Sequence, residues 1–307
     1  MMNDNLKIRI FLFTGLFLLI ITALSGQSST EKIPEVITQG PAKGYLVIVG
    51  GNLSDPAIYS RFLELAGGPN AKIVIIPTAG SDEYLFDKGG LVSIKERFQK
   101  NGFRHLTIIH TRDPKEANTD EFVKPIREAT GLWFTGGRQW RLVDAYQNTK
   151  TYDEIVKLLA RGSVVGGSSA GASIMGSFLV RGDTKTNTVM MGDHQKGFGL
   201  LTHCAIDQHL LALNRQFDLF EILHAHPELL GIGLDENTAI IVHGNEFNVI
   251  GKSYVAIYDG TFCQFVRDKA DWNIEIPEIT VLPEGSDHFY LLGAGRRYSL
   301  SKRKVIQ

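Results

Sequence analysis

The sequence has little that would announce a metal centre, a redox pair or a polyanion-binding surface. Only two cysteines, Cys204 and Cys263, occur in 307 residues. No C-x-x-C is present and no His/Cys group has zinc-ligand spacing, so no metal is expected. His224 and His226 stand two apart on a stretch that reads as helical, where their side chains diverge. Charge of neither sign dominates, with 32 Lys+Arg against 33 Asp+Glu. No basic run is interleaved with aromatics, which excludes nucleic acid as an expected partner. No G-x-G-x-x-G follows a strand, which removes a dinucleotide, and no cofactor of any kind is expected. Internal repeats and linkers rich in Pro, Gly or Ser are also missing.

The one long hydrophobic run is short for a membrane span, which needs about 20 apolar residues. Lys7 and Arg9 precede Ile10–Ala23 (IFLFTGLFLLIITA), and Ala23-Leu24-Ser25 offers small residues at the positions a signal peptidase inspects. That order of charge, apolar core and small-residue exit reads as a secretory signal peptide over residues 1–26. An uncleaved anchor is the alternative. No cysteine follows the run, which argues against a lipoprotein. Residues 27–42 read as a polar tether and 43–307 as a single domain, periplasmic or extracellular. Export permits a disulfide between Cys204 and Cys263, and two separate buried thiols fit equally well. A homodimer is left open.

Along the chain, short apolar runs alternate with helical spacings. Strands are expected at Tyr45–Val49, Lys72–Ile76, His105–His110, Gly131–Phe134 and Ser163–Val165. Helices are expected at Asp55–Leu65, Leu91–Phe98, Glu121–Ala129, Gln139–Tyr146 and Tyr152–Ala160. Continuous apolar strands between amphipathic helices predict an α/β fold with a mostly parallel, doubly wound sheet. Beyond it, a helical stretch runs to His224. Strands are read at Gly231–Leu234, Ala239–Val242, Phe247–Ile250 and Tyr254–Tyr258, the last three as a hairpin array, with edge strands at Ile279–Leu282 and Phe289–Leu292. Ser301–Lys304 reads as a solvated charged tail.

The chemistry concentrates at the ends of the parallel strands, where such sheets build their sites. Val164–Gly176 (VVGGSSAGASIMG) runs from strand through a glycine turn into a small-residue helix. Its centre, Gly167-Ser168-Ser169-Ala170-Gly171, fits G-x-S-x-G, in which the middle serine stands on a tight strand-to-helix turn as a nucleophile. Gly136-Gly137 closes the fourth strand, and its backbone can approach a substrate closely. Gly137 N–H is therefore a second oxyanion donor beside Ala170 N–H. A serine needs a base. His209 closes Ile206-Asp207-Gln208-His209 at the end of an apolar segment, with His203 as competitor. The orienting acid can be Asp183, Asp193 or Asp207, and Asp183 fits a chain order of serine, acid, histidine. His209 follows Ser169 by only forty positions, unlike an ordinary α/β-hydrolase, whose histidine lies near the end of the chain.

Phe134-Thr135-Gly136-Gly137 with Gln139, Gly167-x-Ser169-Ala170-Gly171-Ala172, Asp207-Gln208-His209 and Gly231-Ile232-Gly233-x-Asp235-Glu236-x-Thr238-Ala239 together resemble the cyanophycinase family. These are serine peptidases related to dipeptidase E, with a sheet like that of class I glutamine amidotransferases. The resemblance spans about Lys43 to Asp259. It implies hydrolysis of a peptide or isopeptide bond involving aspartate, with Ser169 as nucleophile and His209 as base. Asp183 takes the acid's place in the loop after the elbow helix, and Gln139, Gln208 and Arg215 line the substrate pocket. Cyanophycinases cut a poly-aspartate chain bearing arginines into β-Asp-Arg dipeptides. Here Arg138 stands where the family often has an acid, and of the arginines that follow D-Q-H in the polymer cutters only Arg215 stands as a counterpart. These departures bear on the substrate and leave the peptidase chemistry intact. The rival readings are an esterase or acyl transferase on the same elbow, and a non-catalytic envelope binding protein.

Overall fold

The computed structural model describes residues 38–260 and 287–306. The expected signal peptide, most of the tether, Cys263 and the strand expected at Ile279–Leu282 lie outside the described residues. Strands are numbered in chain order: β1 Tyr45–Val49, β2 Lys72–Ile76, β3 His105–Ile108, β4 Gly131–Phe134, β5 Val164–Ser168, β6 Cys204–Gln208, β7 Leu230–Leu234, β8 Thr238–His243, β9 Glu246–Gly251, β10 Val255–Tyr258, β11 Tyr290–Leu292, β12 Arg297–Ser299 and β13 Lys304–Ile306.

Two sheets result. The larger has nine strands in the order β13-β12-β9-β8-β1-β5-β4-β2-β3. From β1 to β3 its pairs are parallel, and from β1 to β13 they are antiparallel. Apart from the edge strand β3, the parallel half is buried on both faces, as strict alternation along its strands shows. Leu46 and Ile48 of β1 enter one core, Val47 and Val49 the other. Val74 and Ile76 of β2 part from Ile73 and Ile75 in the same way. The smaller sheet has the order β11-β10-β7-β6, with β6 and β7 parallel.

Local chemistry explains the element ends. Pro56 opens the helix Pro56–Leu65, and the Asp55 carboxylate caps it by accepting from Ala57 N–H at 3.0 Å. Thr119 Oγ1 accepts from Phe122 N–H at 3.2 Å to start the helix Asp120–Glu128. The elbow strand is longer than expected, because β1 pairs with it as far as Val49↔Ser168.

Three further expectations differ from the structure. The hairpin array holds only for β8 and β9, because β10 leaves that sheet and pairs instead with β7 and β11 in the smaller one. The helical stretch up to His224 is confined to Leu219–Ala225. After His209, which adopts φ 53, the chain turns back, and the Asp235 carboxylate takes Leu211 and Ala212 N–H at 3.0 and 2.9 Å. The charged end is no loose tail either: Lys304–Ile306 pairs with Arg297–Ser299 in register Ser299↔Lys304. An exposed lysine at a sheet edge satisfies both solvation and pairing.

The face of the parallel strands nearest the site is filled by rings. Phe62, fully buried, meets Trp133 edge-on at 4.9 Å between centroids. Phe62→Ala should therefore lower the unfolding free energy by about 3–5 kcal/mol. A shift of the urea midpoint at unchanged slope checks it.

Candidate active site

Strand register brings the separate motifs together. β1, β5 and β4 end side by side, with Val49 opposite Ser168 and Phe134 opposite Gly167. β6 and β7 end level, with Gln208 opposite Leu234. The residues that follow these five ends are Gly50-Gly51, Ser169, Thr135-Gly136, His209 and Asp235-Glu236, and they converge on one place.

Ser169 sits at φ 59, ψ −116, a conformation that L-residues seldom adopt and that the flanking structure holds. The glycines around it are required by close approach. A Cβ on Gly167 would lie 2.3 Å from Gly171 O, and one on Gly171 would lie 2.4 Å from Phe134 O. The half-buried Ser169 Oγ lies 2.9 Å from His209 Nε2, and His209 Nδ1 lies 2.7 Å from Glu236 Oε1. Asn52 donates from Nδ2 to the second Glu236 oxygen at 2.9 Å. Hydrogen bonds from Asn52 and then from His209 hold the Glu236 carboxyl below its ordinary pKa. With Nδ1–H committed to Glu236, Nε2 is left to accept from the serine hydroxyl.

The imidazole rests on Gly51. A Cβ there would stand 2.3 Å from His209 Cε1, and Gly51 has φ +130, so no L side chain fits. Gly136 lies against the serine, its added Cβ falling 3.3 Å from Ser169 Cβ. Among the described residues, no backbone carbonyl accepts from Gly136, Gly137 or Ala170 N–H, the donors an oxyanion would need.

The carboxylate beside the imidazole is Glu236, and the acids expected from sequence are engaged elsewhere. Asp183 closes a local turn, accepting from Lys185, Thr186 and Asn187 N–H and from the Thr186 hydroxyl. The Thr186 hydroxyl above all, with those N–H groups, holds the Asp183 pKa at about 2. Asp193 accepts from Thr184 N–H and hydroxyl. Asp207 is fully buried and meets Arg181, which also reaches Asp218. The two carboxylates keep Arg181 charged despite its burial. His203 is exposed and precedes β6, at the end of that strand remote from His209. Glu236 lies within the Gly231–Ala239 motif but follows His209 in the chain, outside the loop after the elbow where the acid is expected. Its signal is its position two residues beyond the end of β7.

Of the expected pocket residues, Gln208 is the one that touches the serine, with Oε1 3.4 Å from Ser169 Oγ. Arg215 Nη1 donates to Gln208 O at 3.0 Å and to its Oε1 at 3.3 Å. Gln139 is 1% exposed and donates to Val180 and Arg181 carbonyls, so it braces the loop after the elbow helix instead of presenting its amide to a ligand. Cys204 is a free, buried thiol whose pKa burial pushes up to about 12. Among the described residues no cluster of His, Cys, Asp or Glu could hold a metal, and no helix is long and apolar enough to cross a membrane.

The fold and this arrangement define an α/β protein carrying a serine–imidazole–carboxylate chain on a nucleophile elbow. The sequence matches peptidase family S51 over residues 46–250, and the chain belongs to that family, the one that includes the cyanophycinases. It is 32% identical over 261 residues to a cyanophycinase of Geminocystis herdmanii, covering 83% of this chain and 93% of that protein. It is 30% identical over 280 residues to a cyanophycinase of Nostoc sp., covering 89% and 91%. The structure of a peptidase from an acI-B1 Actinobacterium superposes with TM-score 0.56 at 21% identity, over 85% of this chain and 98% of that one, which extends the likeness to the fold.

Gly51→Ala should push the imidazole off its seat while leaving the serine in place. The rate of labelling by a serine-directed fluorophosphonate is expected to fall about 100-fold in folded protein.

Proposed function

We propose that the protein is a serine-type peptidase, an exopeptidase or isopeptidase, that hydrolyses aspartate-containing peptides through an acyl-enzyme. One observation carries the reading: Ser169, His209 and Glu236 form a continuous hydrogen-bonded chain at the carboxyl ends of the strands. Ser169 Oγ attacks the scissile carbonyl, and His209 Nε2 takes its proton. Gly137 and Ala170 N–H hold the oxyanion, with Gly136 at hand as a further donor. The C–N bond breaks as the imidazolium returns its proton to the leaving amine. Water then attacks the ester by the same route in reverse and frees the acid and Ser169. Glu236, rather than Asp183, fixes the imidazole tautomer and offsets its transient charge.

The aspartyl preference is supported by the family and by relatives that are cyanophycinases. Arg215 and Gln208 supply a cation and an amide beside the serine for a substrate carboxylate. We assign the protein to the periplasm or the exterior on the Lys7–Ser25 pattern.

Ser169→Ala should abolish hydrolysis of β-Asp-Arg and α-Asp-X dipeptides, and retained turnover refutes the assignment. Cleavage of p-nitrophenyl esters but of no peptide would turn the reading to an esterase.

The acid's identity is tested by a pair of variants. Glu236→Gln is expected to lower kcat by on the order of 10³–10⁴, the loss that follows when the imidazole is held in the wrong tautomer. Asp183→Asn should leave kcat within about threefold. The depressed Asp183 pKa adds stability above the ordinary aspartate range, and that contribution is lost as pH falls through about 2. Asp183→Asn should therefore reduce thermal stability at neutral pH more than near pH 2, with the shape of the pH–rate profile unchanged. Scanning calorimetry and initial rates across pH read the two effects separately.

A further inference from the structure

A cleft of about 550 Å³ is lined by Ser169 and His209 and, with them, by Asn52, Tyr59, Tyr84 and Arg97. That volume is in the usual range for a ligand site. Gln208 and Arg215 do not line it, so it lies apart from the pair already placed beside the serine. Its floor is fixed: Tyr59, Phe98 and Trp133 are 3%, 2% and 2% exposed, Tyr59 stacking on Trp133 and Phe98 meeting both rings edge-on in the core. Its rim is accessible, with Tyr84 39% exposed on the π-helical turn Glu83–Asp87.

The polar groups of the cleft are mostly committed. Asn52 serves Glu236, Ser54 pairs with Asn237, and Tyr59 points its hydroxyl at Leu53 O. Arg97 differs. It stands in the last turn of the helix Gly90–Lys100, one position before the buried Phe98 and three after the buried Ile94, at the border of the inward stripe. Among the described residues no carboxylate pairs with it. Its guanidinium is close enough to the Tyr59 hydroxyl to offset part of the rise that burial imposes there. A guanidinium that hydrogen-bonds the Tyr59 hydroxyl but has no carboxylate partner among the described residues, in the same cavity as the serine, is suited to a planar anion borne by an apolar or aromatic body.

We infer that this cleft is a carboxylate-recognising subsite, in which Arg97 pairs with a carboxylate of the bound peptide while the residue bearing it packs on Tyr59 and Tyr84. The carboxylate comes either from a free C-terminus or from an acidic side chain. The inference rests on the peptidase reading for its substrate class, but its test does not depend on turnover.

The experiment is titration calorimetry on the Ser169→Ala protein with two matched pairs. Asp-Phe against Asp-Phe-amide isolates the C-terminal carboxylate, and Asp-Glu-amide against Asp-Gln-amide isolates the side chain. In one pair the acid should bind about 10- to 100-fold more tightly than its neutral partner, the range of a charge-assisted hydrogen bond. Adding Arg97→Met should bring that ratio to within about threefold, and Arg97→Lys should restore part of it. Because Arg97 is exposed, these substitutions leave the core intact. The subsite is overturned if neither pair discriminates, if no probe binds, or if discrimination survives Arg97→Met. Hydrolysis of the same peptides by the unmodified protein is followed in parallel. Selective binding without any hydrolysis would refute the peptidase reading and leave the subsite standing, while hydrolysis without selectivity would do the reverse.

Discussion

Three consecutive backbone carbonyls at the exit of β1 hold the site together. Val49 O accepts from Ser169 N–H at 3.0 Å, Gly50 O from His209 N–H at 2.7 Å, and Gly51 O from Asn237 N–H at 3.1 Å. One short run of main chain thus fixes Ser169, His209 and the residue next to Glu236, which arrive from three separate strand ends. Gly50 is confined as well, because a Cβ there would lie 2.2 Å from Asp235 O. Since the larger sheet supplies β1 and β5 and the smaller one β6 and β7, these bonds also join the two sheets at the point where their alignment matters for chemistry. Side chains then refine what the main chain sets: Asn237 Oδ1 accepts from Ser54 and Asp55 N–H and ties the acid's loop to the start of the first helix.

Around this junction the charges are arranged in closed local sets. Arg181 is consumed by Asp207 and Asp218, Asp183 by its own turn, and Glu236 by His209 and Asn52. Burying Arg181 with Asp207 costs desolvation that their attraction offsets only in good geometry. Its structural return is to anchor the loop after the elbow against the β6 end, where Gln208 meets the serine. Gln139 reinforces the same loop from the fourth strand's exit by donating to the Val180 and Arg181 carbonyls.

What could be read from sequence follows from how local each feature is. The elbow was legible because its glycines answer contacts within a few residues, and the parallel strands because burial on both faces leaves continuous apolar runs. His209 was legible as a polar residue at a strand end. Glu236 was not, because its partnership depends on the β6–β7 register, a relation between segments that no spacing rule contains. Asp183 drew attention for its place in chain order, yet Asp-x-x-Thr is also a turn that satisfies its own carboxylate. Gln139 lies in a recognisable motif, but only the packing shows that its amide faces backbone carbonyls. The Lys304 strand was hidden because edge strands tolerate the same charged residues as tails do.

The cleft beside Ser169 shares its floor with the hydrophobic core. Tyr59, Phe98 and Trp133 belong to one buried cluster with Phe62 and Phe103. A change in those rings alters folding and ligand shape at once, so few such changes would survive selection for a folded chain. Arg97, Tyr84 and Ser54 are exposed and bear little of the packing. Divergence in what this cleft accepts therefore has a narrow route: it runs through the rim, one exposed residue at a time, over a floor and a Ser169–His209–Glu236 chain that stay fixed.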